Sequence, residues 1–189
     1  PDGSARYPGT CRHGLPTGVV PRAWRFRVAE GTIAFVDRLQ GEVREDVARE
    51  GGDFVLKRAD GLFAYQLATV VDDAEAGVTD VVRGVDLLHS TPRQIALQRA
   101  LGLPTPRYAH LPVVVDTRGQ KLSKQSQACA IDGFDGAQVL IDALSCLGMM
   151  PPATLTGAPV GEIWQWAKQN WSMAAVPHVT EVHSRSDYD

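Results

Sequence analysis

The chain lacks any long apolar run. Its longest, such as Leu111 to Val115, fall far short of the roughly 18 to 20 residues a membrane helix needs, which excludes a bilayer span of that kind. It also lacks an excess of basic charge: 19 Lys and Arg against 22 Asp and Glu leave a net charge of -3. There is then no electrostatic footprint for indiscriminate nucleic-acid binding, and any RNA partner must be held by a local, shaped surface. Cysteine is scarce. The three present, Cys11, Cys129 and Cys146, are odd in number and widely spaced, which does not suit a disulfide framework and favours a reducing, cytoplasmic compartment. No basic segment followed by an apolar stretch opens the chain, although Pro1 need not be the natural start. No internal repeat is visible, and a monomer is the default expectation. What is there is ordinary: 44% hydrophobic and 22% charged residues over 189 positions suffice for one large or two small domains, each with a buried core.

Residues 1 to about 21 are rich in Gly, Pro and Thr without periodicity, and read as a loop held by something other than a core. Trp24 to Val28 and Gly31 to Leu39 alternate apolar and polar residues, which predicts half-exposed antiparallel strands in a small β-rich insert over 22 to 58. From Asp60 the pattern changes. Leu62 to Leu67 reads as a strand, Ala68 to Ala76 as a short helix stopped by Gly77, and Val78 to Arg83 as a second strand. Thr91 is placed to cap a helix, with Pro92 at its first position and Gln94 completing a capping box. That helix should run to Leu101, stop at Gly102 and Pro104, and lead to Leu111 to Val115, an apolar run of the kind buried in parallel sheets. Strand, helix, strand at this spacing predicts a βαβ crossover and an α/β fold. Beyond Lys124 no strand is predicted. Leu140, Ala143, Leu144 and Leu147 mark one helical face, and Val160, Ile163, Trp164, Ala167 and Trp171 another beginning at Pro159. From about Glu181 the chain has no apolar face and should fray.

The sharpest chemical signal is Lys121-Leu122-Ser123-Lys124-Gln125, directly after an apolar strand and the turn Asp116-Thr117-Arg118-Gly119. Lysines in a loop at the carboxyl end of a parallel strand lie where open α/β sheets bind ligands. An ammonium group there can neutralise charge building on a pyrophosphate leaving group, and a mobile loop can bring it in when the nucleotide binds. Alone, the string is more often a solvated turn, so its context decides.

That context is a run of four blocks: Tyr65 to Asp73, Thr79 to Leu88, Ser90 to Gln94 and Lys121 to Gln125. In order and separation they resemble the glutamyl/glutaminyl branch of class I aminoacyl-tRNA synthetases, over essentially residues 6 to 180. Gln125 stands where ordinary glutamyl enzymes usually carry arginine, and the chain stops about 65 residues later without an anticodon-binding domain. It thus looks like the truncated glutamyl-Q branch, which places glutamate on the queuosine base of tRNA(Asp).

The resemblance implies an α/β fold comprising the second half of a Rossmann-type class I synthetase catalytic domain, with a small β-rich insert and a carboxyl-terminal helical unit. Residues 1–21 would be the remnant of a zinc-site loop and 22–58 an acceptor-type insert. Residues 59–120 would be the catalytic half-domain, and 121–189 the signature loop with a helical, stem-contact-like unit. It further implies that Tyr65 and Arg83 contact glutamate, a phenol and a guanidinium able to hold its polar ends. Lys124 would contact ATP, brought with Mg2+, with Lys121 assisting. Asp72, Asp73 and Asp86 read better as caps and turn residues. Tyr7-Pro8-Gly9-Thr10-Cys11-Arg12 resembles the second half of the family's zinc site, making Tyr7 and Cys11 candidate Zn2+ ligands of an incomplete structural site. Tight zinc binding by this chain alone is not expected, because structural zinc normally takes four protein ligands.

Class I catalysis also needs a His-x-Gly-His-like turn. The pair His13-Gly14 follows no apolar strand and cannot be that turn, so the chain is expected to be part of a longer protein and inactive by itself. The implied partners are glutamate, ATP and tRNA(Asp) carrying queuosine, with no membrane. Two rivals remain: ordinary glutamyl-tRNA synthetase activity on tRNA(Glu), and a non-catalytic nucleotide- or RNA-binding module of synthetase descent.

Overall fold

A computed structural model describes residues 7–123 and 131–183. The chain divides into two compact units, Pro1–Val82 with Leu87–Ala109, and Arg83–Asp86 with His110–Asp189.

In the first unit, β1 (Trp24–Phe26) pairs antiparallel with β4 (Phe54–Lys57), and β2 (Ile33–Asp37) with β3 (Gly41–Glu45). The β2 and β3 hairpin is closed by Asp37, whose buried carboxylate accepts the Leu39 and Gln40 amides, each at 3.0 Å, and by Gly41 at φ +78°, a conformation glycine reaches without strain. β2 also pairs in parallel with β6 (Arg107–Leu111), Asp37 lying opposite Tyr108. The result is a four-stranded sheet of order β3, β2, β6, β5, with β5 spanning Asp80–Gly84. The hairpin from the β-rich segment therefore shares a sheet with the later strands.

Leu62 to Leu67 is not a strand. Tyr65–Glu75 forms a helix, α2 (after the short α1, Val47–Glu50), with Ala64 at its amino-terminal cap. Six residues are too few for alternation to separate strand from helix. The helix wins here because it satisfies its own backbone, from Ala68 N donating to Ala64 O at 3.1 Å onward, while placing Val70 in the core. α3 (Thr91–Leu101) ends as predicted at Gly102, in the left-handed region at φ +66°. Its start differs. A 3-10 turn, Val85–Ser90, runs straight into the helix, so the cap residue is Ser90, already in helical geometry and without a side-chain capping bond. Capping needs an extended residue at that point; Ser90 Oγ instead accepts from Gln66 Nε2 at 3.1 Å. β5, α3 and β6 give strand, helix, strand with the two strands adjacent. Val28, Val47, Phe54, Val70 and Leu97 form this unit's core.

In the second unit the predicted apolar strand is cut in two. Pro112 has no N–H to give a ladder, so β6 ends at Leu111 and β7 covers Val113–Val115. β7 pairs in parallel with β8 (Glu181–His183), Val114 opposite Val182. This overturns the expectation that no strand follows Lys124 and that fraying begins at Glu181; residues 184–189 of that expectation lie outside the described residues. Three residues with one apolar side chain carry no readable alternation, and the pairing orders them. α4 (Gly136–Cys146) is capped by Asp135, whose carboxylate accepts Ala137 N at 3.0 Å. It packs on α5 (Val160–Asn170), which starts after Pro159. Ala137, Leu144, Met149, Leu155, Ile163 and Ala167 form the core. Trp164 and Trp171, assigned to the apolar face in the sequence, are exposed; Trp166 packs against the core instead. No described helix is long and apolar enough to cross a membrane.

Candidate functional site

The second unit gathers chemically capable side chains from two separate stretches of chain, Arg83–Asp86 and His110 onward. Asp116 ends β7, and its carboxylate accepts the Gln120 amide at 2.7 Å and the Arg118 amide at 2.8 Å. These bonds, the Gln120 amide above all, hold the carboxyl below its usual range, with Arg118 beside it. The 116–120 turn is thereby tied down, and Gly119 at φ +76° lets the chain reverse. Lys121 then bridges Val115, and Leu122 N donates to Val114 O at 2.9 Å. The motif thus begins as a short strip laid antiparallel on β7, which fixes the Lys121 backbone.

The Lys121 ammonium donates to the Asp86 carboxylate at 2.5 Å. Asp86 lies in the 3-10 turn following β5, three residues beyond Arg83. A Cβ on Gly84 between them would push the Asp86 carboxylate aside. Arg83, half-buried near the end of β5, donates from Nε to His110 Nε2 at 3.0 Å, and His110 is fully buried. A guanidinium is suited to bidentate capture of a carboxylate; a lysine beside the strand end is suited to phosphate charge. Lys121 is tied to Asp86, three residues along the chain from Arg83; in the sequence Asp86 read as a turn residue. His110 was missed. Its signal was present as a polar residue set between Ala109 and Leu111 at the start of an apolar run, where burial calls for a partner.

Tyr65 belongs to the first unit, where it is the first residue of α2 and 50% exposed, not a strand residue. Asp72 and Asp73 lie inside α2 rather than at its amino-terminal cap. Leu122 and Ser123 are half-buried, whereas Lys124 and Gln125 fall outside the described residues.

Tyr7 and Cys11 sit at a cleft of about 500 Å³ also lined by Arg12, Arg22, Arg25 and Arg27. The Cys11 amide donates to Tyr7 Oη at 2.7 Å, and the Arg25 guanidinium lies 4.0 Å from the centre of the Tyr7 ring. A second cation on that phenol would meet the first. Among the described residues no three His, Cys, Asp or Glu side chains gather for a metal, and Tyr7 with Cys11 would leave two of the four positions of a structural zinc unfilled. The described residues by themselves do not fit a complete zinc site.

Residues 20–156 match the family model for the catalytic domain of class I tRNA synthetases (E and Q). The chain is 59% identical, over 93% of its length, to the glutamyl-Q tRNA(Asp) synthetase of Aromatoleum aromaticum, and covers 56% of that protein. It is 58% identical over 90% of its length to that of Chromobacterium violaceum, covering 57%. The chain therefore spans little more than half the length of these curated relatives. Among solved structures, it matches the glutamate-tRNA synthetase of Elizabethkingia anophelis with a TM-score of 0.63 at 23% identity, over 87% of this chain and 37% of that one. It matches a glutamate tRNA ligase from Elizabethkingia meningosepticum, solved with its amino acid, with a TM-score of 0.64 at 22% identity, over 87% and 36%. At such identities the structural likeness establishes the α/β synthetase fold alone.

Proposed function

Because the chain belongs to the class I tRNA synthetases (E and Q), within their catalytic domain, we propose that it takes part in activating glutamate with ATP and transferring the glutamyl group to queuosine of tRNA(Asp). The observation that carries this reading is the ion pair between Lys121 and Asp86, which holds the signature-loop lysine three residues from the guanidinium-bearing strand end. The names of the relatives and Gln125 in place of arginine support the queuosine branch over ordinary charging of tRNA(Glu).

On this reading, a carboxylate oxygen of glutamate attacks the α-phosphorus of ATP, the bond to the bridging oxygen breaks, and pyrophosphate leaves with its Mg2+. A queuosine hydroxyl then attacks the glutamyl carbonyl, and AMP departs. Lys124, assisted by Lys121, offsets the charge that grows on the leaving pyrophosphate. Arg83 grips the carboxylate that does not react, since pairing the reacting one would blunt it as a nucleophile, and Tyr65 holds another polar end of the amino acid. The protein contributes orientation and fixed charge rather than covalent chemistry. Residues 59–120 then serve as the second half of the catalytic domain, with 121–189 adding the signature loop and helical unit. The exposed thiol of Cys11 suits a reducing cytoplasm.

Lys124→Ala in the full-length protein is expected to slow ATP–pyrophosphate exchange by about 10²-fold with little change in melting temperature. Unchanged exchange would refute the assignment. Labelled glutamate should be accepted by tRNA(Asp) bearing queuosine and not by the same tRNA with guanosine at that position; acceptance by tRNA(Glu) alone would select ordinary charging instead.

A further inference from the structure

We propose that His110 is a positioning residue for Arg83, fixing the plane of its guanidinium for the substrate carboxylate without neutralising its charge. The two sit on neighbouring strands of one sheet, 27 residues apart in sequence. Arg83 Nε donates to His110 Nε2 at 3.0 Å, so that nitrogen carries no proton and the ring hydrogen is on Nδ1. Nε is the one guanidinium nitrogen inside the side-chain stem. Holding it sets the rotation of the whole fork, whereas a bond to a terminal nitrogen would leave the fork free to pivot. His110 has no exposed surface, which makes the imidazole a rigid anchor rather than a mobile surface group.

The choice of a neutral acceptor is informative. An Asp or Glu at position 110 would also orient Arg83, but it would form an ion pair and compete with an incoming carboxylate. A neutral imidazole orients the cation without adding an anion of its own. An interaction made before binding also removes part of the ordering cost of binding. This inference rests on the reading that Arg83 holds glutamate, and its test separates the two.

Gln and Asn are polar amides of nearby size that differ in reach: a Gln amide overlays the Nε2 end of the ring, an Asn amide the Nδ1 end. In the full-length protein, His110→Gln should keep the KM for glutamate within about threefold of the parent, while His110→Asn and the acceptor-free His110→Phe raise it about tenfold, the loss of one hydrogen bond to a charged group. The KM for ATP should stay within about twofold in all three, because the lost contact serves the amino acid. Melting temperatures identify any variant that has merely unfolded, and the Gln and Asn pair decides the matter if the Phe variant does. Equal glutamate KM values for the Gln and Asn variants, beside a raised value for Arg83→Ala, would overturn the role of His110 alone. An Arg83→Ala variant with unchanged glutamate KM would overturn the underlying reading of the site and this inference with it.

Discussion

The two units build their cores on opposite plans. The first draws Val28, Val47, Phe54, Val70 and Leu97 from scattered elements, so it can close only when chain segments far apart in sequence meet. The second draws its core from one continuous stretch between Ala137 and Ala167, a helix pair whose contacts are local and carry little loop-closure entropy. For the polar groups the plan reverses: Arg83, Asp86, His110 and Lys121 reach the second unit from separate segments. In that unit, what provides stability and what offers chemistry lie in different parts of the chain.

The strongest way to break this separation is to excavate the local core. Ile163→Ala, at a fully buried position, should cost about 2–5 kcal/mol. Amide exchange should accelerate across α4 and α5 while β2 and α3 keep their protection; equal loss in both units would erase the distinction. Gly148→Ala probes the same region. Gly148 sits at φ +77°, and a Cβ there would collide with the Ala175 carbonyl, so the substitution should cost about 2 kcal/mol or more in denaturant titration. Arg83→Ala sharpens the other half of the contrast. It should raise the glutamate KM by about 10- to 100-fold, the worth of a charged hydrogen-bonding contact, with the ATP KM and the melting temperature nearly unchanged. A matching rise in both KM values would make Arg83 a folding residue.

The smallest effects concern acid, where the units differ in sign. Burial pushes the Glu45 carboxyl above its ordinary 4.5, helped by Glu50 and partly offset by His89 and Arg93. The folded chain then binds more protons than the unfolded chain between 4.5 and the raised value, so this group withdraws stability as pH rises through that window. Asp116, with its pKa below the ordinary 3.8, does the reverse. Its contribution is present above 3.8 and is lost as pH falls toward the folded value. Denaturation midpoints from pH 3 to 6 should show Glu45→Gln gaining on the parent as pH rises. Asp116→Asn should fall behind above pH 4 and close the gap on acidification. Parallel curves would remove the contrast.

Legibility followed the range of the interaction. Gly102 ending α3 and the alternation of β2 were visible because both are fixed by neighbours in sequence. Leu62 to Leu67 misled because its six residues fit either period. Arg83 and Lys121 could be singled out from their places beside predicted strands. Nothing local announces that Lys121 meets Asp86, 35 residues away, or that His110 faces Arg83, since such pairing depends on strand order. Trp164 and Trp171 fit a helical stripe, yet the stripe that packs is centred on Ile163 and Ala167.

β8 makes the lysine motif depend on residues far downstream. Val113 to Val115 are splinted on one side by Glu181 to His183, and His183 Nδ1–H donates to the Asp116 carbonyl at 3.2 Å, across 67 positions. Trimming the chain ahead of Glu181, or fusing a bulky tag there, would remove that splint from the strand on which Lys121 is laid. The placement of Lys121 would then be lost through a cut about 60 residues away from it in the sequence.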